Sequence, residues 1–150
     1  MKAKVVGGGA AAVLLAAIAL IAPWEGLRTD PYQDIVGVWT VCYGETNVEM
    51  RRYTPAECEA MLGESVGRYV EGVAKCINRP LTVNQWAAIG SWTYNVGAKA
   101  ACNSTLVRQI NAGQPASTWC RQLLRWNRAG GREVRGLTNR RKAEFEVCLR

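Results

Sequence analysis

Glu25, Asp34 and Thr40 lie close together near the front of the chain, separated by eight and then five intervening residues. Cutting a glycosidic bond takes two carboxyl groups in opposite protonation states. One gives a proton to the leaving oxygen, and the other activates water or supports the developing cation. Glu25, in the stretch PWEGLR beside Trp24, is expected to be desolvated and to keep its proton. Asp34, expected to bracket the first strand of a hairpin with Thr40, is expected to stay wetter and charged. Spacing alone favours a pair of solvated surface acids. Composition narrows the chemistry further, because none of the 150 residues is histidine. A Ser/His/Asp triad, a Cys/His protease and a histidine-liganded zinc hydrolase are therefore excluded.

The elements that must position these groups read as α+β, mostly helical with one small antiparallel sheet. Residues 34–48, DIVGVWTVCYGETNV, are rich in β-branched and aromatic residues and predict a hairpin or small sheet. Thr54-Pro55-Ala56-Glu57 is a capping box with proline at the first helical position, opening a helix to about Lys75. Thr82-Val83-Asn84-Gln85 repeats that logic for a helix stopping at Gly97. Ser104 is expected to cap a short helix ending at Gly113. Further helices are expected at about 117–126 and 138–149, around the turn Ala129-Gly130-Gly131. With 49% hydrophobic content the chain can bury a real core.

Residues 5–22, VVGGGAAAVLLAAIALIA, carry no polar side chain and follow Lys2 and Lys4. As a helix they would extend roughly 27 Å, slightly short of the ~30 Å hydrocarbon layer. Ten of the eighteen are Gly or Ala, so the segment would enter a bilayer and be held there loosely. The lysines put its start in the cytoplasm and the rest outside. A cleaved signal peptide is the alternative, with Ala17-Ile18-Ala19 as the small-x-small site. Cleavage there would leave only five residues before Glu25, which favours an uncleaved anchor over 1–22 and a single catalytic domain over 23–150. The six cysteines, at 42, 58, 76, 102, 120 and 148, contain no CxxC and fit disulfides in an oxidising compartment. Pairing neighbours in order, Cys42–Cys58, Cys76–Cys102 and Cys120–Cys148, closes the shortest loops, although other pairings remain open. No metal or cofactor is implied.

The stretch EGLRTDPYQDIVGVWTVCYGET resembles the signature of the phage-type lysozymes, or endolysins. Glu25, Gly26, Leu27, Arg28, Tyr32, Asp34, Gly37, Trp39, Thr40 and Gly44 carry the likeness. Asn95-Val96-Gly97, Ser104-Thr105-Leu106, Trp126, Gly130-Gly131 and GLTNRR at 136–141 extend it over about residues 23–150. The resemblance implies a lysozyme-like fold and hydrolysis of the β-1,4 bond between N-acetylmuramic acid and N-acetylglucosamine in peptidoglycan. It implies Glu25 as general acid, Asp34 as the carboxylate acting on water or the cation, and Thr40 as the residue positioning that water. Inversion at the anomeric carbon is implied too, and Ser104 and Thr105 would line the sugar groove. One departure is Glu45, where relatives commonly carry histidine; it is expected to be exposed. Residues 5–22 resemble a signal-arrest-release anchor. That implies export by the general secretion (Sec) route, an inactive form tethered to the inner membrane and facing the periplasm, and release without cleavage. The chain has no cysteine before Cys42, so refolding of the anchor rather than a thiol switch is the expected control.

Of the net charge of +7, residues 121–150 supply +6, with nine basic and three acidic groups. Such an end attracts anionic partners. Arg121, Arg125, Arg128, Arg132, Arg135, Arg140 and Arg141 are expected to form a solvated face or to steer the chain onto the envelope. Export argues against a nucleic-acid partner, and the chain is expected to act as a monomer. Most of the six tryptophans, Trp86 and Trp92 among them, are expected in the core. Two rivals stay open: a lytic transglycosylase, which needs one glutamate and no partner aspartate, and a tethered, disulfide-stapled binding protein without activity.

Overall fold

The computed structural model describes residues 4–150. Seven α-helices, one 3₁₀ segment and three two-stranded sheets are formed among them. In chain order they are β1 (Val5–Val6), α1 (Ala10–Glu25), β2 (Arg28–Gln33), β3 (Trp39–Cys42), α2 (Pro55–Ala74), β4 (Leu81–Thr82) and α3 (Val83–Val96). Then follow α4 (Ala98–Cys102), α5 (Thr105–Asn111), α6 (Ala116–Trp119), the 3₁₀ turn Cys120–Arg125, β5 (Arg128–Ala129), β6 (Arg132–Glu133) and α7 (Arg135–Cys148). Helix α3 is the axis. Its residues from Trp86 to Thr93 are all buried, as expected of a helix covered on every side by α1, α2 and α7.

Local chemistry starts these helices where the residues say it should. Thr54 Oγ1 accepts from Glu57 N–H at 3.1 Å and the Glu57 carboxylate accepts from Thr54 N–H at 2.7 Å. Thr82 and Gln85 do the same for α3 at 3.1 and 2.9 Å. Ser104 caps α5, and Gly97, at φ 91°, ends α3. Disulfides join Cys42 to Cys58, Cys76 to Cys102 and Cys120 to Cys148. None of these bonds reaches α1.

The apolar leader is part of the same core. Val13, Ala17 and Ile21, four residues apart, are buried in one stripe of α1. Small residues let the helices approach. A Cβ on Gly63 or Gly67 of α2 would already touch Ile18 or Leu14, and Gly90 of α3 sits against Val70 and Ala17. Ahead of α1, Val5 and Val6 pair in parallel with Leu81 and Thr82. The Lys4 carbonyl accepts both Leu81 N–H at 2.9 Å and the Trp86 indole N–H at 2.8 Å. Gly8 passes so close to Val83 that a Cβ there would lie 2.5 Å from its Cγ2. Among the described residues no helix is long and apolar enough to cross a membrane. Helix α1 itself has 16 residues.

Two expectations about local structure are corrected. The sheet begins earlier than residue 34: β2 occupies Arg28–Gln33, and Asp34–Val38 is the turn into β3. Asp34 and Thr40 therefore flank a turn and do not bracket a strand. The Asp34 side chain binds the backbone of this segment, which outweighs the strand preference of Ile35 and Val36 and leaves both projecting into solvent. The expected helix at 117–126 is a short α-turn continued as 3₁₀, and α7 starts at Arg135, earlier than 138. Gly130 and Gly131, both at positive φ, make the two-residue turn of the β5–β6 hairpin.

Candidate active site

Glu25 is the last residue of α1, immediately before Gly26, whose φ of 70° turns the chain towards β2. Its Oε1 accepts from Arg140 Nη1 at 2.8 Å, and its side chain keeps a quarter of its exposure. Arg140 is buried. Behind it Glu144 is fully buried, with Oε1 3.5 Å from Arg140 Nε and Oε2 2.7 Å from Arg141 Nε. Ser91 Oγ donates to Glu144 at 2.6 Å, and Arg141 also donates to Asn95 Oδ1 at 3.0 Å. Burial pushes the Glu144 carboxyl up and the Arg141 guanidinium down, against the attraction each exerts on the other. The surroundings of Glu25 thus differ from the apolar site expected beneath Trp24. That indole turns outward, and the neighbour of the carboxylate is a cation.

Asp34 is held by its own turn. Its Oδ1 accepts from the N–H groups of Val36 and Val38, both at 2.9 Å, while its own N–H donates to the Val38 carbonyl. Thr40, buried and paired across the strands with Tyr32, donates through Oγ1 to the same Val38 carbonyl at 3.0 Å. Asp34 and Thr40 are thereby brought to one turn by contacts spanning no more than four residues. Glu25 comes from a different element and is fixed by a residue 115 positions away.

Glu45 is not the exposed acid that was expected. Gly44, at φ 97°, turns the chain after β3, and Glu45 exchanges two backbone hydrogen bonds with Val41. Its half-buried carboxylate accepts from Ser65 Oγ at 2.9 Å, and Ser65 Oγ in turn accepts from Arg68 at 3.0 Å. These residues line an open cavity of about 390 Å³ with Tyr69 and Tyr94. Burial, reinforced by the charges of Glu25 and Glu45, pushes the Tyr94 phenol up to about 12. Tyr94 is therefore a protonated donor group at neutral pH, lining this cavity with Glu45.

A second open cavity, of about 520 Å³, is lined by Ser104 and Thr105 together with Asn103, Gln122, Arg125 and Trp126. Ser104 Oγ is used up by the chain itself, donating to Ala101 O at 2.6 Å and accepting from Val107 N–H. Thr105 Oγ1 accepts from Arg108. The basic face also needs correction. Arg121, Arg125, Arg128, Arg132 and Arg135 are exposed, but Arg140 and Arg141 are buried as members of the ion cluster. Trp86, Trp92 and Trp119 are buried, Trp126 is half-buried against Trp92, and Trp24 and Trp39 are exposed.

Sequence reasoning named Arg140 and Asn95 without giving them a part in the site, and missed Glu144, Ser91 and Tyr94. The usable signal was Arg-Arg-x-x-Glu on a helix, where i,i+3 and i,i+4 spacing places one acid beside two bases.

Comparison with known proteins bears on all of this. The family model described as phage lysozyme matches residues 22–144. A SAR-endolysin of Enterobacteria phage P21 is 39% identical over 155 aligned positions, covering 98% of this chain and 92% of the relative. Among solved structures, the endolysin of Escherichia coli O157:H7 phage FAHEc1 superposes with a TM-score of 0.77 at 31% identity, covering 92% of this chain and 90% of that one. The muramidase domain of SpmX from Asticaccaulis excentricus gives 0.78 at 26% identity over 99% of both chains.

Proposed function

The chain belongs to the phage lysozyme family, a lysozyme-type glycoside hydrolase of lysozyme-like α+β fold that lyses peptidoglycan; from that premise we propose that it cuts the β-1,4 bond between N-acetylmuramic acid and N-acetylglucosamine. Glu25 acts as general acid on the leaving oxygen, Asp34 as the carboxylate that activates water or supports the cation, and Thr40 as the group that orients that water. The observation that carries this reading is that both carboxyl groups are oriented and still reach solvent. Glu25 keeps a quarter of its exposure and is oriented by Arg140, and Asp34 is oriented by two backbone N–H groups at an open turn. Thr105, with Trp126, Gln122 and Arg125, offers an aromatic face and planar polar groups for a neighbouring sugar. Analysis of muropeptides after digestion tests the reaction. A free reducing end and loss of activity in Asp34→Asn are expected; an anhydro end with full activity in Asp34→Asn identifies a transglycosylase instead.

The same chain is proposed to be exported through the Sec machinery as a monomer, tethered in the inner membrane by residues 5–22, and activated in the periplasm when that segment leaves the bilayer. The name SAR-endolysin carried by the P21 relative supports this, as does the composition of α1. The eight Val, Leu and Ile residues of 5–22 favour the bilayer by roughly 2–5 kcal/mol in total. Burying Val13 and Ile21 in the folded core contributes roughly 3–6 kcal/mol. These two contributions are of the same order, so insertion of the segment and its seating in the core compete. Because Glu25 ends α1, leaving the membrane and acquiring the acid become one event. Leucine at Gly7–Gly9 would strengthen the anchor, but at Gly8 it would also strike Val83. Ala11 and Ala19 are exposed in the folded form, so Ala11→Leu with Ala19→Leu strengthens insertion alone. Delayed lysis with unchanged activity of the released protein is expected, and unchanged timing contradicts controlled release.

A further inference from the structure

We propose that Glu144 is a positioning residue for Glu25, acting through Arg140 by dividing the charge of that guanidinium. The inference rests on the reading of Glu25 as general acid. Arg140 and Arg141 are adjacent cations on α7, each less than a twentieth exposed, and Glu144 is the one acid buried between them. The three together carry a net charge of +1. A single carboxylate cannot neutralise two guanidiniums, and its tighter contacts are with Arg141, at 2.7 and 2.9 Å, against 3.5 Å to Arg140. Arg140 is therefore left with a residual charge, which its Nη1 directs at Glu25 Oε1, 2.8 Å away.

This division has a chemical consequence. Two buried guanidiniums with no anion between them would hold Glu25 as a carboxylate, which has no proton to give. A guanidinium wholly taken by Glu144 would leave Glu25 without an orienting donor. Glu144 lies between these limits because Ser91 and Arg141 bind Oε1, the same oxygen that faces Arg140, and leave Arg140 only a longer contact with it. The cluster is remote from solvent, so its charge count is felt at Glu25 with little screening.

Steady-state hydrolysis of purified peptidoglycan by the folded full chain tests the proposal. Glu144→Gln leaves two buried cations facing Glu25, and kcat is expected to fall at least tenfold with KM within threefold of wild type. Removing a cation as well, in Glu144→Gln with Arg141→Met, restores the charge count and is expected to return kcat to within threefold. Ser91→Ala, a milder change, loosens Glu144 and is expected to lower kcat about three- to tenfold with the same KM, which covers the case where Glu144→Gln does not fold. Wild-type kcat in Glu144→Gln or in Ser91→Ala overturns the proposal. So does a double variant whose melting temperature recovers while kcat does not, since that pattern belongs to a purely structural residue. Activity retained in Glu25→Gln would overturn the general-acid reading itself, independently of these results.

Discussion

Glu25 and the Asp34–Thr40 turn are held by opposite kinds of structure. Asp34 and Thr40 are satisfied by the backbone of their own turn, within four residues and partly in solvent. Glu25 depends on a helix packed across the whole core and on an arginine at the far end of the chain. Local contacts form wherever the hairpin forms. Long-range contacts form only when α1 is seated against α2, α3 and α7. The three disulfides all lie outside α1, so nothing covalent keeps it there. One half of the proposed machinery is therefore permanent and the other half is conditional.

Perturbing each half separately sharpens that contrast. Ala17→Asp would bury an unpaired charge in the α1 stripe, costing about 3–5 kcal/mol. Hydrolysis is expected to be almost abolished and residues 5–25 to become protease-sensitive, while the Cys42–Cys58 disulfide still forms, as non-reducing peptide mapping would show. Trp86→Phe removes the indole donor to the Lys4 carbonyl and part of a fully buried side chain, together about 2–3 kcal/mol. A drop in melting temperature of roughly 4–10 °C is expected, with hydrogen exchange accelerated most at the amides of β1, β4 and α1. Replacing Ile35 and Val36 by serine at the exposed hairpin tip is expected to change stability by no more than about 0.5 kcal/mol in a denaturant titration.

The smallest effect concerns Tyr94, on the border between the two halves. Its phenol ionises at about 12 in the folded chain against 10.0 ordinarily. The stabilisation this represents is fully present below pH 10 and is lost as pH rises through about 12, so nothing changes near neutrality. In an ultraviolet titration of the five tyrosines, a late step is expected that disappears in Tyr94→Phe.

Where the sequence was legible, the deciding contacts were short. Thr54 with Glu57 and Thr82 with Gln85 lie within one helical turn, and Gly97 ends its helix through its own φ. The Asp34 turn was misplaced even though its contacts are just as short, because β-branched residues at 35, 36 and 38 weigh towards a strand while one carboxylate binding two N–H groups decides for a turn. Arg140 and Arg141 looked like part of a solvated basic face. What buries them is Glu25, Ser91 and Asn95, between 46 and 115 residues away. Glu45 was misjudged for the same reason, since its partner Ser65 is 20 residues on. The likeness around Glu25 located the candidate acid but not the cluster behind it, which exists only once α1 and α7 meet.

The most direct test of the conditional half is the specific activity of one chain in two places, measured on the same peptidoglycan: embedded in inner-membrane vesicles and after release from them. The embedded chain, with its hairpin formed but α1 unseated, is expected to be at least a hundredfold less active than the released chain. Equal activity in the two fractions would contradict it, because Glu25 would then work without the helix that carries it.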